Sequence, residues 1–222
     1  MNAASPQLIF LHGAGERASV WDDVIAGLPG DWSCEAIDLG ELGVIDDGMF
    51  DLSAAADRVL KSVDEDTATV VCGLSLGAMV GTVVAGGAAP GALDALILSG
   101  GQVRPPKWMM RLQWQISIRL PEAAFGAYGS TKTETLAMYA AVEAADLRGR
   151  LGEVRVPTAV WCGTRDIANR PAARQLAEGI DGAELRFVPG MGHDWHRSHP
   201  AAFAAHLREF VTAALARKPR GR

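Results

Sequence analysis

Six short runs of apolar, β-favouring residues limit what this chain can fold into more than any other feature: LIFL (8–11), CEAI (34–37), ATVVC (68–72), LDALILS (93–99), TAVWC (158–162) and ELRFV (184–188). Most are continuous rather than alternating, the pattern of strands covered on both faces in a parallel sheet. Helical segments lie between them. Ser53 is placed to cap a run from Ala54 to Val63, and Pro90-Gly91 closes the segment that follows Ser75. Pro171 starts a run through Glu178, and Pro200 opens a last helix with Phe203, Leu207, Phe210 and Val211 on one face. Strands alternating with helices predict an α/β fold on a parallel sheet.

The 222 residues suffice for one sizeable domain, and 49% hydrophobic with 21% charged residues is the balance of a soluble globular protein. The net charge of -5 argues against nucleic acid as a partner, since phosphate binding wants a basic surface. The one basic run is the tail, residues 216–222, read as a disordered, solubilising end. Cys34, Cys72 and Cys162 all sit in apolar runs, and an odd count without a framework spacing suggests free thiols in a reducing compartment. The run at 8–11 is too short for a signal peptide's core, and no apolar stretch is long enough to span a membrane. The expected location is the cytoplasm.

One segment breaks the alternation. Between Gly101 and Pro157 no convincing buried strand occurs. Thr131-x-x-Glu134 is a capping-box pattern ahead of TLAMYAAVEAA, which reads as a helix. From Trp108 to Leu120 apolar residues fall at every second position, a strand period, yet the Met, Leu, Gln and Arg content suits a helix. We read it as a helix buried on more than one side, within an insertion perched on the sheet.

In an open α/β sheet, ligands bind beyond the carboxyl ends of the strands. Four polar motifs fall there: His12-Gly13-Ala14-Gly15, Gly73-Leu74-Ser75-Leu76-Gly77, Gly163-Thr164-Arg165-Asp166 and Gly190-Met191-Gly192-His193. Gly-x-Ser-x-Gly alone is a weak signal, but here a buried strand leads in and a helix-compatible run with Ala78 and Gly81 leads out. The glycines matter because such a turn places its serine at unfavourable backbone angles. A neutral serine needs an imidazole to take its proton, and a carboxylate to hold that imidazole. Ser75, Asp166 and His193 occur in the chain order that such hydrolases use. The backbone N–H groups of Ala14 and Leu76 are the candidates for an oxyanion hole.

In these motifs, LIFLHGAG, GLSLGA, VPTAVWCGTRD and FVPGMGHDW, the chain resembles the α/β-hydrolase superfamily, in particular its small bacterial members with a helical cap. The resemblance covers nearly the whole sequence. It implies a three-layer αβα sandwich with a mostly parallel sheet of about six strands, the family's first N-terminal strands being absent. Residues 1–100 and 157–215 would form the core and 101–156 the inserted cap. The sequence departs from the family in two places. Asp38-Leu39-Gly40-Glu41-Leu42-Gly43 displaces one glycine of the usual loop after the second strand. Ser99 closes the fourth strand where some relatives carry their acid, which favours Asp166.

Plainer readings compete at each site. Ser75 can be a structural serine in a tight turn, Asp166 a surface residue beside Arg165 with Asp194 as the rival carboxylate, and His193 an ordinary loop histidine. His193, His196 and His199 invite a metal reading, but Gly192 and Pro200 make the segment a loop, so no metal or cofactor is implied. His196, His199 and His206 read as surface or capping residues. His12, a pocket candidate, more naturally braces the oxyanion loop. Trp108, Met109, Met110 and Trp114 either pack the cap or line an acyl pocket. Arg104, Lys107, Arg111 and Arg119 read as a solvated face rather than an anion site, and Glu16 and Arg17 as equally suited to substrate or solvent.

The expected activity is that of a serine hydrolase cleaving a small to medium carboxylic ester, thioester or lactone through an acyl-enzyme. Its substrate would be a small molecule with a carbonyl group, with no nucleic-acid or membrane partner. The same triad also supports C–C bond hydrolysis, acyl transfer, perhydrolysis or biosynthetic proton abstraction, because fold does not fix function. A receptor-like binding protein with a vestigial triad is the reading from another class.

Overall fold

A computed structural model of the chain describes residues 5–42, 49–64, 66–125 and 129–217. The six apolar runs form six strands: β1 (Gln7–Leu11), β2 (Ser33–Ile37), β3 (Thr69–Leu74), β4 (Ala95–Ser99), β5 (Thr158–Gly163) and β6 (Glu184–Val188). Their order across the sheet is β2-β1-β3-β4-β5-β6, and every neighbouring pair is parallel. Every carboxyl end therefore opens on the same side.

Side chains alternate between the two faces of a strand, and both faces here are apolar. Ile9, Leu11, Val71, Leu96, Leu98, Val160 and Cys162 enter one core, and Leu8, Phe10, Val70, Cys72, Ala95, Ile97 and Trp161 enter the other. The first core is closed by α3 (Leu52–Leu60), α4 (Leu76–Gly87) and α7 (Arg170–Gly179). The second is closed by α1 (Asp22–Ala26), α8 (Trp195–Ser198) and α9 (Pro200–Ala216). The result is the expected three-layer sandwich. The edge strands β2 and β6 are half exposed, so Cys34 on β2 is only partly covered.

Phe203 of α9 holds the second core together. Its ring lies 4.4 Å from that of Trp195 and 5.4 Å from those of Trp21 and Trp161. The Trp195 indole N–H donates to Ser99 Oγ at 3.1 Å, which satisfies a buried polar group and occupies the hydroxyl at the end of β4.

Two local expectations are corrected. Asp51, not Ser53, caps α3: its carboxylate accepts the Ala54 N–H at 2.7 Å, and the helix ends at Leu60 rather than Val63. Both residue types can cap, and the one with extended backbone and a free amide three positions ahead takes the role. Between β4 and β5 lie α5 (Lys107–Ser117) and α6 (Lys132–Ala144). The short α2 (Leu39–Leu42) follows β2. Helix α5 is buried on one side, through Met110 and Ser117, rather than on several; Trp108, Leu112 and Ile116 are 70%, 56% and 54% exposed. Every-second-residue apolarity wraps around a helix, so only the part in phase with a neighbour is covered. At α6 the capping box forms as expected: Thr131 Oγ1 accepts the Glu134 N–H at 3.2 Å, and Glu134 accepts the Thr131 N–H at 2.8 Å.

No helix among the described residues is long and apolar enough to cross a membrane. Gly43 and residues 218–222 of the basic tail lie outside the described residues. Phe203→Ala is expected to cost about 3–5 kcal/mol in denaturant unfolding, and Leu112→Ala on the exposed face of α5 under about 0.5 kcal/mol.

Candidate active site

Ser75 stands where β3 turns into α4, with φ 52° and ψ -111°, the only non-glycine residue at positive φ among the described residues. That region is sterically costly for an L-residue and persists only where surrounding structure enforces it. The enforcement is visible. A Cβ on Gly73 would stand 2.3 Å from the Gly77 carbonyl oxygen, and one on Gly77 would stand 2.2 Å from that of Leu11. The Ser75 N–H donates to the Ser99 carbonyl at 2.8 Å, tying the turn to the end of β4. Leu76, fully buried, puts its backbone N–H in the first turn of α4, where amides have no partner within the helix.

Asp166 follows β5 in a turn closed by its N–H to the Gly163 carbonyl at 3.0 Å, and it is buried. His193 follows β6. Its Nδ1 lies 2.8 Å from Asp166 Oδ2, across 27 residues of sequence. Asn169 donates to Asp166 Oδ1 and Oδ2 at 2.8 and 2.9 Å, and Gln102 donates in turn to Asn169 Oδ1. Asp194, the rival carboxylate, lies on the cavity wall, and the imidazole is committed to Asp166. Gly100, at φ 58°, leaves the space: a Cβ there would stand 2.8 Å from the imidazole Cε1.

Burial alone lowers the pKa of His193, but Asp166, by hydrogen bond and by charge, outweighs it and leaves the group raised. With Nδ1 taken by Asp166, Nε2 is the nitrogen left for a reacting group. An oriented imidazole and a serine on a strained turn are the parts needed to draw a proton from a hydroxyl.

Ser75 and His193 line one cavity of about 310 Å³, which Ala14 also lines. Of the aromatic and apolar candidates on α5, Trp108, Met109 and Trp114 lie off this cavity. Trp114 faces a shallow outer depression with Ala140 and Glu143. The inward stripe of α5 is instead Met110, Gln113 and Ser117, of which the last two reach the cavity. Thr135 and Tyr139 of α6 complete that wall. Arg104, Lys107, Arg111 and Arg119 do not line it; the arginine that does is Arg197.

A match to the alpha/beta hydrolase family model runs over residues 8–206. The chain belongs to the alpha/beta hydrolase family. A curated relative, pimeloyl-(acyl-carrier protein) methyl ester esterase of Neisseria meningitidis, is 28% identical over an alignment covering 100% of this chain and 81% of the relative. A second, 2-succinyl-6-hydroxy-2,4-cyclohexadiene-1-carboxylate synthase of Serratia proteamaculans, is 26% identical over an alignment covering 94% of each chain. Among solved structures, the enol-lactonase of Burkholderia xenovorans superposes with a TM-score of 0.78 at 20% identity, covering 94% of this chain and 92% of that one.

In this alpha/beta hydrolase family member, the loop after β1 is built from residues whose roles the sequence left open. His12 is fully buried behind the loop: Nδ1 donates to the Gly13 carbonyl at 2.7 Å and Nε2 accepts the Leu39 N–H at 2.9 Å. It braces the loop and does not line the cavity. Arg17 faces neither substrate nor open solvent. It donates to Asp38 at 3.0 Å, to both Glu134 oxygens at 2.9 and 2.8 Å, and to the Gly129 carbonyl at 2.9 Å. Burial would raise Asp38, but His12 and Arg17 hold its carboxyl down at about 2. Glu16 is buried, and His196, expected at the surface, is fully buried beside it. The three histidines of the 193–199 segment take separate partners: Asp166, Glu16 and Ser198. Burial pushes the Cys162 thiol up to about 12 and Cys72 higher still, so neither offers a thiolate near neutrality.

A nuclear magnetic resonance titration checks the imidazole pair. His193 is expected to ionise above the usual histidine range, and Asp166→Asn to move it downward, since burial remains while the opposing charge is gone. The folded chain binds that proton more tightly than the unfolded one. The pair therefore adds stability below the unfolded-state histidine pKa and loses it as pH rises through the raised native value. In Asp166→Asn that loss of stability with rising pH should disappear, because burial alone pulls the pKa the other way.

Proposed function

We propose that the protein hydrolyses a carboxylic ester, thioester or lactone of modest size through an acyl-enzyme on Ser75. The observation that carries this reading is that His193, held by Asp166 at 2.8 Å, lines the same cavity as Ser75 at its φ of 52°. The esterase named among the curated relatives supports it. His193 Nε2 takes the Ser75 hydroxyl proton as Oγ attacks the substrate carbonyl carbon. Asp166 orients the ring and stabilises the imidazolium that results. The N–H groups of Ala14 and Leu76 hold the oxyanion; one such donor is worth about 3 kcal/mol. Collapse of the intermediate returns the proton to the leaving alkoxide or thiolate. Water, activated by the same imidazole, then attacks the acyl group and releases the acid.

The segment 101–156 acts as the cap in this reading, and Gln113, Ser117, Thr135 and Tyr139 face the substrate from it. A cavity of about 310 Å³ lies at the small end of the roughly 300–1,000 Å³ typical of ligand pockets, which favours a compact, partly polar substrate. The synthase named among the relatives supports a second reading, in which the same three side chains abstract a proton without forming an acyl-enzyme.

A fluorophosphonate probe is expected to label the wild-type chain once, and Ser75→Ala to abolish the label while retaining the native circular dichroism. Asp166→Asn should lower kcat on a p-nitrophenyl ester by up to about 10⁴-fold. Labelling that survives in Ser75→Ala would reject the nucleophile. A labelled protein that turns over no ester, thioester or lactone would favour the proton-abstraction reading.

A further inference from the structure

Glu16 follows Ala14 by two residues and turns its side chain inward, leaving the residue 7% exposed. A carboxylate at that depth needs partners. Oε2 accepts the backbone N–H of Gly13 at 2.8 Å. Oε1 faces His196 Nε2 at 3.5 Å and Arg197 Nη1 at 3.9 Å. His196 is fully buried, its ring 4.9 Å from that of Trp21. A Cβ on Gly13 would stand 2.9 Å from Oε2, so the carboxylate occupies the space a side chain there would take. Burial works against the charge, but His196 and the Gly13 N–H outweigh it and hold the carboxyl below its ordinary value. The bond to Gly13 is therefore made by a carboxylate, the stronger kind of acceptor.

Gly13 is gripped at both of its polar groups. Besides the N–H bound by Glu16 Oε2, its carbonyl accepts from His12 Nδ1 at 2.7 Å and from the Glu16 backbone N–H at 3.3 Å. That carbonyl and the Ala14 N–H belong to one planar trans peptide, so they point in opposite directions and holding one aims the other.

We propose that Glu16 is the positioning residue of the oxyanion site: from inside the loop it fixes Gly13, and through the Gly13–Ala14 peptide it sets where the Ala14 N–H points. The inference rests on the ester-hydrolysis reading given above. Glu16 borders the cavity beside Ala14 and Ser75, but its carboxylate oxygens are turned to Gly13, His196 and Arg197; its effect belongs to kcat rather than to substrate affinity, because the donor it aims acts on charge that develops in the transition state.

The test compares Glu16→Gln with Glu16→Met, side chains of similar length of which only the first keeps an acceptor for the Gly13 N–H. Rates on p-nitrophenyl acetate are divided by sites titrated to completion with the fluorophosphonate, so unfolded protein is not counted. Glu16→Met is expected to lose about 10- to 100-fold in kcat with KM within about threefold, and Glu16→Gln to recover most of that loss. Should Glu16→Met fail to fold, Glu16→Asp, one methylene short of Gly13, is expected to show the same fall. Equal kcat values per titrated site in the acceptor-bearing and acceptor-lacking variants, or a change confined to KM, would overturn the proposal. A wild type that takes no label would instead overturn the hydrolytic reading, a result distinct from variants that label alike and turn over alike.

Discussion

At the carboxyl end of the sheet, backbone meets backbone too closely for any side chain between. Gly77 packs on the Leu11 carbonyl, Gly73 on that of Gly77, and Gly163 on that of Met191, each at a distance that a Cβ would violate. These contacts join the end of β1 to the turn after β3, and the end of β5 to the loop after β6. Because all six strands run parallel, the loops so joined are those carrying Ala14, Ser75, Asp166 and His193. The positive φ of Ser75 is the local cost of that closeness, offset by a sheet covered on both faces.

Much of this was legible in the sequence because it is encoded locally. The apolar runs mark their strands within a residue or two, and the pairing of Thr131 with Glu134 announces the start of α6. The four polar motifs sit at strand ends, and strand ends meet in any parallel sheet. What escaped is set by tertiary context. The phase of α5 depends on its neighbours, so Gln113 and Ser117 reach the cavity while the more conspicuous Trp108 and Trp114 do not. Asn169 and Gln102, which brace Asp166, carry no motif. His196 looked like a loop residue because its partner, Glu16, lies far away in the sequence, although a histidine next to Trp195 in a compact α8 is a fair sign of burial.

Glu16 and Arg17 show how adjacent residues divide between two tasks. A chain turning out of a parallel strand presents successive side chains in different directions, here one toward α8 and the other toward α6. The first meets His196 and Arg197; the second meets Asp38 and Glu134. Opposite charges placed side by side thus acquire separate counter-charges, and neither depends on its neighbour in sequence.

The Arg17 tie holds α6, whereas α5 is bound mainly through Met110 and Ser117 and shows the solvent a stripe of Trp108, Leu112 and Ile116. The two helices therefore differ in how freely they can change. Substitutions along α5 could reshape or enlarge the chamber roof while the guanidinium clamp and the loop beneath it stay in register. A lineage built on this plan could shift what it admits by editing one helix, with Ser75, Asp166 and His193 left untouched.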